Sequence, residues 1–335
     1  MRAFLIRRLI GLVIVLVGIS LLTFLLSHVM PADPARAALG AKGGEKQYLE
    51  MRERMGLDRS LPEQYVRYVQ GLLQGDLGYS YTSRRPVATD LAAYFPASME
   101  LMLSALFLAV VVGVPLGVMS AARVRGPLDK TSGILAVFST AMPLFLTGLL
   151  LQVIFYKQLG WLPAAGRIDI VLGEPHTITG MFTVDSLLQG DWPRFVSSVK
   201  HLILPAITLS LPAMAILIRI VRASMLESLG QEYVRTARSK GLSENRVVYG
   251  HALRNALLPT VTSLGMLVGA LLSGGFLVEI VYTFPGLGMY VLNAIMRAEF
   301  AALISTTLIV ATVYMVANLL VDIAYVFIDP RIRYA

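Results

Sequence analysis

The opening stretch, MRAFLIRRLIGLVIVLVGISLLTFLLSHVM (residues 1–30), sets Arg2, Arg7 and Arg8 ahead of an unbroken apolar run. From Leu9 to Val29 there is no Asp, Glu, Lys or Arg. A hydrocarbon core about 30 Å thick is crossed by roughly 20 mostly apolar residues in a helix, and this run has that length. A secretory signal also starts basic, and small residues follow here in PADPARAA. Its apolar part, however, is only about 7–15 residues long. The run reads as a retained membrane helix.

Five further runs of the same kind lie near 99–122, 132–156, 202–221, 256–279 and 301–327. Only 15% of the 335 residues are charged and 56% are hydrophobic, where a soluble domain carries about 25% charged residues. Mean hydropathy is +0.68. A transmembrane β-barrel would show alternating segments of about 10 residues, and the apolar residues come in blocks instead. The expectation is an all-α polytopic membrane protein with six transmembrane helices. It divides into residues 1–30 (N-terminus and first helix), a loop region at 31–98, and a five-helix core at 99–335. That core includes a second outer loop at 157–200 and an inner loop at 222–256.

Charge orients this arrangement. With the N-terminus inside, the inner segments hold 15 of the 29 Lys and Arg against six of the 21 acids. The positive-inside bias favours this orientation, with both termini cytoplasmic. The net charge of +8 therefore needs no nucleic-acid partner. In the first outer loop, EKQYLEMRERMGL reads as a short helix closed by Gly56. LPEQYVRYVQGLLQG reads as another, with Pro62 in its first turn and Tyr65, Val69, Leu72 and Leu73 on one face. GDLGYSY is a turn-rich return to the membrane. The loop at 157–200 is irregular and rich in Gly and Pro. Both outer loops have the character of lids.

Chemistry-bearing motifs are sparse. There is no G-x-x-x-x-G-K-[ST] phosphate loop, no H-E-x-x-H and no cysteine, so neither a nucleotide nor a metal site is expected. His28, His176, His201 and His251 are scattered. Proton- and ion-driven transporters place ionisable groups within the membrane. Here only Asp322 and Glu279 approach the spans, both near helix ends.

One inner stretch is different: EYVRTARSKGLSENRVVYGHALRNALLP, residues 232–259. EYVRTARSK forms helix readily and runs to Gly241, a residue suited to a left-handed terminator. Ser243 is placed to cap a second helix with Glu244 in its first turn. Val247, Val248, Leu253 and Leu257 make a stripe on that helix, leaving Arg246, His251 and Arg254 on its outer surface. The reading is helix, corner, helix: a rigid polar protrusion able to enter a groove on a soluble partner.

This loop resembles the EAA-type coupling loop of ABC importer permeases, in their dipeptide/oligopeptide branch. MPADP at 30–34 is similar to that branch's entry motif, with Ala32 where Gly is usual. MGLDRSLPEQYVRY (55–68), GDLGYS (75–80), RPV (85–87), VYTFPGLG (281–288) and NLLVDIAYVFIDPRIR (318–333) follow in the same order. RTARSKG replaces the general E-A-A-x-x-x-G, and the gap from Gly241 to Pro259 is longer, as in the peptide branch. The resemblance implies a type I ABC importer permease fold in a bacterial cytoplasmic (inner) membrane. It implies a second homologous permease subunit, two ATP-binding subunits that hold ATP and Mg, and an extracytoplasmic peptide-binding protein. Catalysis and cofactors then belong to the partners, while this chain meets membrane lipid and passes dipeptides or short oligopeptides inward.

Under that resemblance the ATPase-coupling residues are Glu232, Arg235, Ala237, Gly241, Ser243, Glu244, Asn245, Arg246, His251, Arg254 and Asn255. Helix breakers mark the translocation path. Pro115, Pro143, Pro205 and Pro212 interrupt spans two to four, and Gly265, Gly269, Gly274 and Gly275 punctuate span five. Met142, Pro143, Glu279, Phe284, Pro285 and Gly286 are the expected outer-gate and path residues, with Glu279 just above the membrane. Nickel chelates, glutathione and modified peptides are alternative cargoes. A stand-alone secondary transporter or a membrane scaffold are the rival functions. In this otherwise thiol-free chain, Asn245→Cys is expected to react with an impermeant maleimide only from the cytoplasmic face, and labelling of intact cells from outside overturns the six-span orientation.

Overall fold

The computed structural model describes residues 2–29, 34–39, 44–297 and 299–328. Among them the first elements are α1 (Arg2–Val29), α2 (Pro34–Leu39), α3 (Glu45–Met55), α4 (Leu61–Leu73), the hairpin β1 (Tyr79–Ser80) and β2 (Arg85–Pro86), and α5 (Val87–Ala122). Then come α6 (Pro127–Ala141), α7 (Leu144–Leu151) with a π-helical extension Gln152–Gln158, α8 (Phe182–Leu188), α9 (Trp192–Leu229) and α10 (Glu232–Ser239). The chain ends in α11 (Leu253–Val281), entered through a π-helical turn Arg246–Ala252, then α12 (Leu287–Met296) and α13 (Phe300–Ile328). Two units form: residues 1–96 with 285–315, and 97–284 with 316–335. The divisions fall inside α5, between α11 and α12, and inside α13. The last five residues (329–333) of the closing motif at 318–333 and most of MPADP lie outside the described residues.

Among the described residues five helices are long and apolar enough to span a membrane, and the number rises to six if α6 and α7 with its extension, a pair bent by 110° at its break, form one span. The expected third span is therefore corrected from one helix to two. A proline disfavours helical geometry in the residue before it. Met142 indeed takes φ −86°, ψ 133°, and Pro143 follows at φ −58°, ψ 138°. Two successive extended residues turn the chain. The other expected interruptions do not occur: Pro115 lies within α5, and Pro205 and Pro212 within α9. Their preceding residues stay helical, and long helices tolerate the lost hydrogen bond when their neighbours pack against them.

In the first unit, α3 closes on Gly56 at φ 67°, with the Leu57 amide donating to the Arg52 carbonyl at 3.0 Å. Pro62 sits in the first turn of α4, as its fixed φ favours. α4 rests on α1 through aromatic rings: Phe24 lies 5.3 Å from Tyr65 and 5.9 Å from Tyr68. Ser20 Oγ and the Tyr65 hydroxyl add a 2.9 Å hydrogen bond. The expected apolar face is corrected at one position, because Leu73 is 84% exposed while Tyr68 takes part in the packing. The all-α expectation acquires one small amendment, the antiparallel β1–β2 pair with Tyr79 opposite Pro86.

In the second unit, α9 is the central helix and is packed by α6, α7, α8 and α11. It begins at Trp192, so the end of the expected 157–200 loop is already helical. The rest of that loop is held by Asp185, which is buried and accepts hydrogen bonds from the amides of Ile178, Thr179 and Gly180 and from Thr179 Oγ1. Burial pushes the Asp185 carboxyl up, but those hydrogen bonds outweigh it and leave it below the usual carboxylate range. α5 approaches α9 through Gly113 and Gly117, a small-xxx-small pair of the kind that lets membrane helices meet closely. A Cβ on Gly117 would stand 2.7 Å from Val221 Cβ, closer than packed atoms tolerate.

Gly117→Val is expected to force these helices apart and to cost about 1–3 kcal/mol through overpacking, read as a lowered melting temperature in detergent. Gly133→Ala, where nothing lies within 4 Å, is the control and should leave the melt unchanged.

Candidate functional site

Residues 232–255 form one stiff corner. α9 ends at Leu229, α10 runs from Glu232 to Ser239, and Gly241 reverses the chain at φ 75°. The expected left-handed glycine is there. A side chain at Gly241 would meet nothing within 4 Å, so its requirement for glycine is purely conformational. Beneath α10, Val234 and Ala237 join an apolar cluster with Val118 and Ala121 of α5, Val221 and Met225 of α9, and Val247, Val248, Ala252 and Ala256 beyond the corner. Burying a valine fully contributes about 1.5–3 kcal/mol, so this underside fixes α10 to three helices. Ser228 adds a polar pin: its Oγ donates to the Ala252 carbonyl at 2.9 Å and lies 2.5 Å from the Tyr233 hydroxyl.

The upper surface is polar. Arg238 spans the corner and donates to both carboxylate oxygens of Glu244, at 2.6 and 3.2 Å. Its guanidinium thereby holds the Glu244 carboxyl below the usual carboxylate range. Arg235 pairs with Glu232 at 2.7 Å. The side-chain cap expected from Ser243 does not form among the described residues. The Ser243 backbone carbonyl accepts the Val247 amide at 3.0 Å instead, and Glu244 turns to Arg238.

The π-helical turn over Arg246–Ala252 inserts an extra residue per turn. That shift brings both Val247 and Ala252 onto the buried face and leaves Arg246, His251, Arg254 and Asn255 exposed. Glu232, Arg235, Gly241, Ser243, Glu244 and Asn245 are exposed on the same segment. Ala237 is corrected: it is 6% exposed and is an anchor, not a contact residue. Sequence reading also missed Tyr249, which is 53% exposed beside these cations. An aromatic within a polar loop was its only signal.

The expected outer-gate residues divide. Glu279, expected just above the membrane, is 1% exposed and accepts a 2.5 Å hydrogen bond from Ser98 Oγ. Phe284 is equally buried, and its amide donates to the Glu279 carbonyl at 2.8 Å. Both therefore brace the end of α11 and are not open to a partner. Between them Thr283 takes φ 48°, and the Tyr282 hydroxyl donates to the Gly148 carbonyl at 3.1 Å and lies 2.9 Å from Thr208 Oγ1. Pro285 is exposed and Gly286 is buried at the start of α12, so FPGLG leads into a helix. At the α6–α7 break Met142 is half-buried and Pro143 exposed, and the following residues run along α11. Leu144 Cδ2 lies 3.5 Å from a Cβ built on Gly274.

One buried ion pair was not singled out from the sequence. Arg167 Nη2 donates to Glu100 Oε2 at 2.5 Å and to the Gly180 carbonyl at 3.0 Å. Glu100 Oε1 accepts from the Thr183 amide at 2.7 Å and its Oγ1 at 2.6 Å. The guanidinium lies 3.7 Å from the centre of the Phe182 ring and 5.5 Å from that of Phe284. Glu100 thus joins Glu279 and Asp322 among acids near the spans, but it is saturated by fixed donors. Its signal was a lone acid at the start of an apolar run; its partner lies 67 residues away.

Residues 113–334 match the family described as binding-protein-dependent transport system inner membrane component, and residues 1–102 match the N-terminal region of such membrane components. The chain is 41% identical over 322 residues to the probable D,D-dipeptide transport system permease protein DdpB of Escherichia coli (strain K12), covering 96% of this chain and 95% of that one. It is 39% identical over 338 residues to the dipeptide transport system permease protein DppB of the same organism, covering 100% and 99%. With the glutathione transport system permease protein GsiC of E. coli O6:H1 it shares 36% over 332 residues, covering 99% of each. A chain with up to six spans, matched from end to end by permeases of one kind, belongs to the binding-protein-dependent transport system inner membrane component family, as a multi-pass protein of the bacterial inner membrane.

Proposed function

We propose that this chain is the dipeptide or short-oligopeptide permease subunit of an ATP-driven importer. The observation that carries the reading is the corner at 232–255, an exposed basic lever bolted through Val234 and Ala237 to the ends of three long helices. The names of the relatives, most of them dipeptide permeases, support peptide as cargo. The glutathione permease supports a second reading, in which the cargo is a modified peptide.

In this mechanism the corner faces the cytoplasm and rides in a groove of an ATP-binding subunit. Two such subunits bind ATP and Mg, and this chain supplies no catalytic group. A second homologous permease completes the path, and an extracytoplasmic binding protein delivers cargo to the opposite side. Closure of the ATPases pushes on α10. Because α10 shares one apolar cluster with α5, α9 and α11, the push reaches all three helices together. Packed interfaces shift between discrete arrangements rather than deforming smoothly, so the movement can reach the far ends of those helices. There Glu100, Arg167 and Glu279 hold the loop and the end of α11 in place.

Two outcomes are expected. Purified alone in lipid, the chain should neither hydrolyse ATP nor accumulate peptide; turnover by the subunit itself overturns the assignment. Gly241→Val places a branched residue at φ 75°, at a cost of about 1 kcal/mol or more, where an added Cβ meets nothing within 4 Å. It should leave membrane insertion intact while lowering ATPase co-purification or peptide uptake severalfold at matched expression. Arg246→Glu should weaken docking without moving the corner. Normal uptake by Gly241→Val would show that the corner does not couple.

A further inference from the structure

The first unit holds a polar cavity of about 170 Å³ that the transport mechanism above does not use. The β1–β2 hairpin, the start of α5, α12 and Glu299 form its walls. Two of its carboxylates are already served. Asp90, 1% exposed, accepts from Arg85 Nε at 2.5 Å, Ser83 Oγ at 2.7 Å and the Tyr290 hydroxyl at 3.4 Å. Glu299 accepts from Ser80 Oγ at 2.9 Å and from the Thr82 amide at 2.5 Å. Three lining side chains keep unused donors among the described residues: the Tyr94 hydroxyl, the Asn293 amide and the Arg297 guanidinium. Tyr94 is held in place by its ring, stacked on Tyr290 at 5.2 Å between centroids.

Asp90 and Glu299 are held by donors of the surrounding fold, while Tyr94, Asn293 and Arg297 each bring a hydrogen-bond donor to the lining that no described residue engages, Arg297 with a positive charge. A guanidinium flanked by an amide and a phenol matches the two oxygens of a carboxylate, which arginine holds through paired hydrogen bonds. The volume is below the roughly 300–1,000 Å³ of sites that enclose a whole drug-sized ligand, so the occupant is a group of about one residue. We propose that this cavity is a carboxylate-binding site, with Arg297 as the anchoring cation and Asn293 and Tyr94 as orienting donors. Two sources present that chemistry on the side that the proposed orientation makes extracytoplasmic. They are the C-terminus of a short peptide and an Asp or Glu side chain of the docking binding protein. The proposal rests on the importer reading only for that choice of source.

The test uses the full transporter complex in lipid nanodiscs, as wild type, Arg297→Gln, Arg297→Lys and Asn293→Asp. The probes are the dipeptide Ala-Ala, its C-terminal amide, and the system's own binding protein, with affinities measured by calorimetry. If cargo fills the site, Ala-Ala binds, the amide does not, and Arg297→Gln weakens Ala-Ala by about tenfold or more. If the delivering protein fills it, Ala-Ala is indifferent to the variants while binding-protein affinity falls by a similar factor. In either case Asn293→Asp should weaken binding through charge repulsion, and Arg297→Lys should restore part of it. Arg297 is exposed, so these variants are expected to fold, and an unchanged melting temperature checks this. Wild-type affinities for both partners that do not respond to Arg297→Gln overturn the proposal. Absence of peptide uptake by the wild-type complex would instead overturn the importer reading, with the Ala-Ala measurement still deciding the site.

Discussion

The second unit depends on a close approach of two helices. α5 lies on α9 at Gly117, where even a methyl group would meet Val221. Within a bilayer, apolar surface alone gives helices little reason to associate, since lipid is as apolar as leucine. Contact distance and van der Waals fit decide. At this separation Val118 and Ala121 of α5 and Val221 and Met225 of α9 close into one apolar floor, on which α10 is seated. A wider spacing would leave Val234 and Ala237 over a gap, and the polar corner would lose its fixed height and angle. The basic lever is therefore a consequence of two glycines buried in the span above it.

The other end of α5 is organised by charge. Glu100 and Arg167 are both buried and in contact, and taking such ions out of water costs more than their attraction alone returns. Thr183, the Gly180 carbonyl and the Phe182 ring offset that cost with further hydrogen bonds and a cation–π contact. The arrangement specifies one placement of the 157–200 loop, because removing either ion leaves the other buried without its counter-charge. One helix thus carries an apolar anchor near one end and an ionic anchor near the other. The cavity of the first unit follows a third logic, in which the hairpin and α12 supply donors to Asp90 of α5 and to Glu299 and leave further donors facing an open space.

The five long apolar helices, the Gly56 and Gly241 reversals, Pro62 in a first turn and the apolar underside of the 232–259 stretch were all legible in the sequence. Each is set within a few residues of chain: roughly 20 apolar residues are long enough to cross a bilayer, and glycine tolerates a left-handed φ that other residues resist. The same local reasoning failed where neighbours competed. Pro115, Pro205, Pro212 and Pro143 have the same covalent ring, yet only Pro143 accompanies a break, because only there does the preceding residue leave helical geometry. Ser243 had the right chemistry for a cap, but among the described residues only its backbone carbonyl takes part, accepting the Val247 amide.

Sequence by itself determined the solvent this chain must live in, the apolar segments long enough to cross it, and the presence of a basic corner between two of them. Those properties are sums or short-range patterns, and composition and hydrophobic run length fix them without reference to distant residues. Tertiary structure alone decided that Ala237, Glu279 and Phe284 are buried, that Glu100 finds Arg167 and that Arg297 and Asn293 face one cavity. Each of these depends on residues far apart in the chain meeting at van der Waals or hydrogen-bond distance. Such meetings are set by helix packing, which hydropathy along one strand of sequence does not encode.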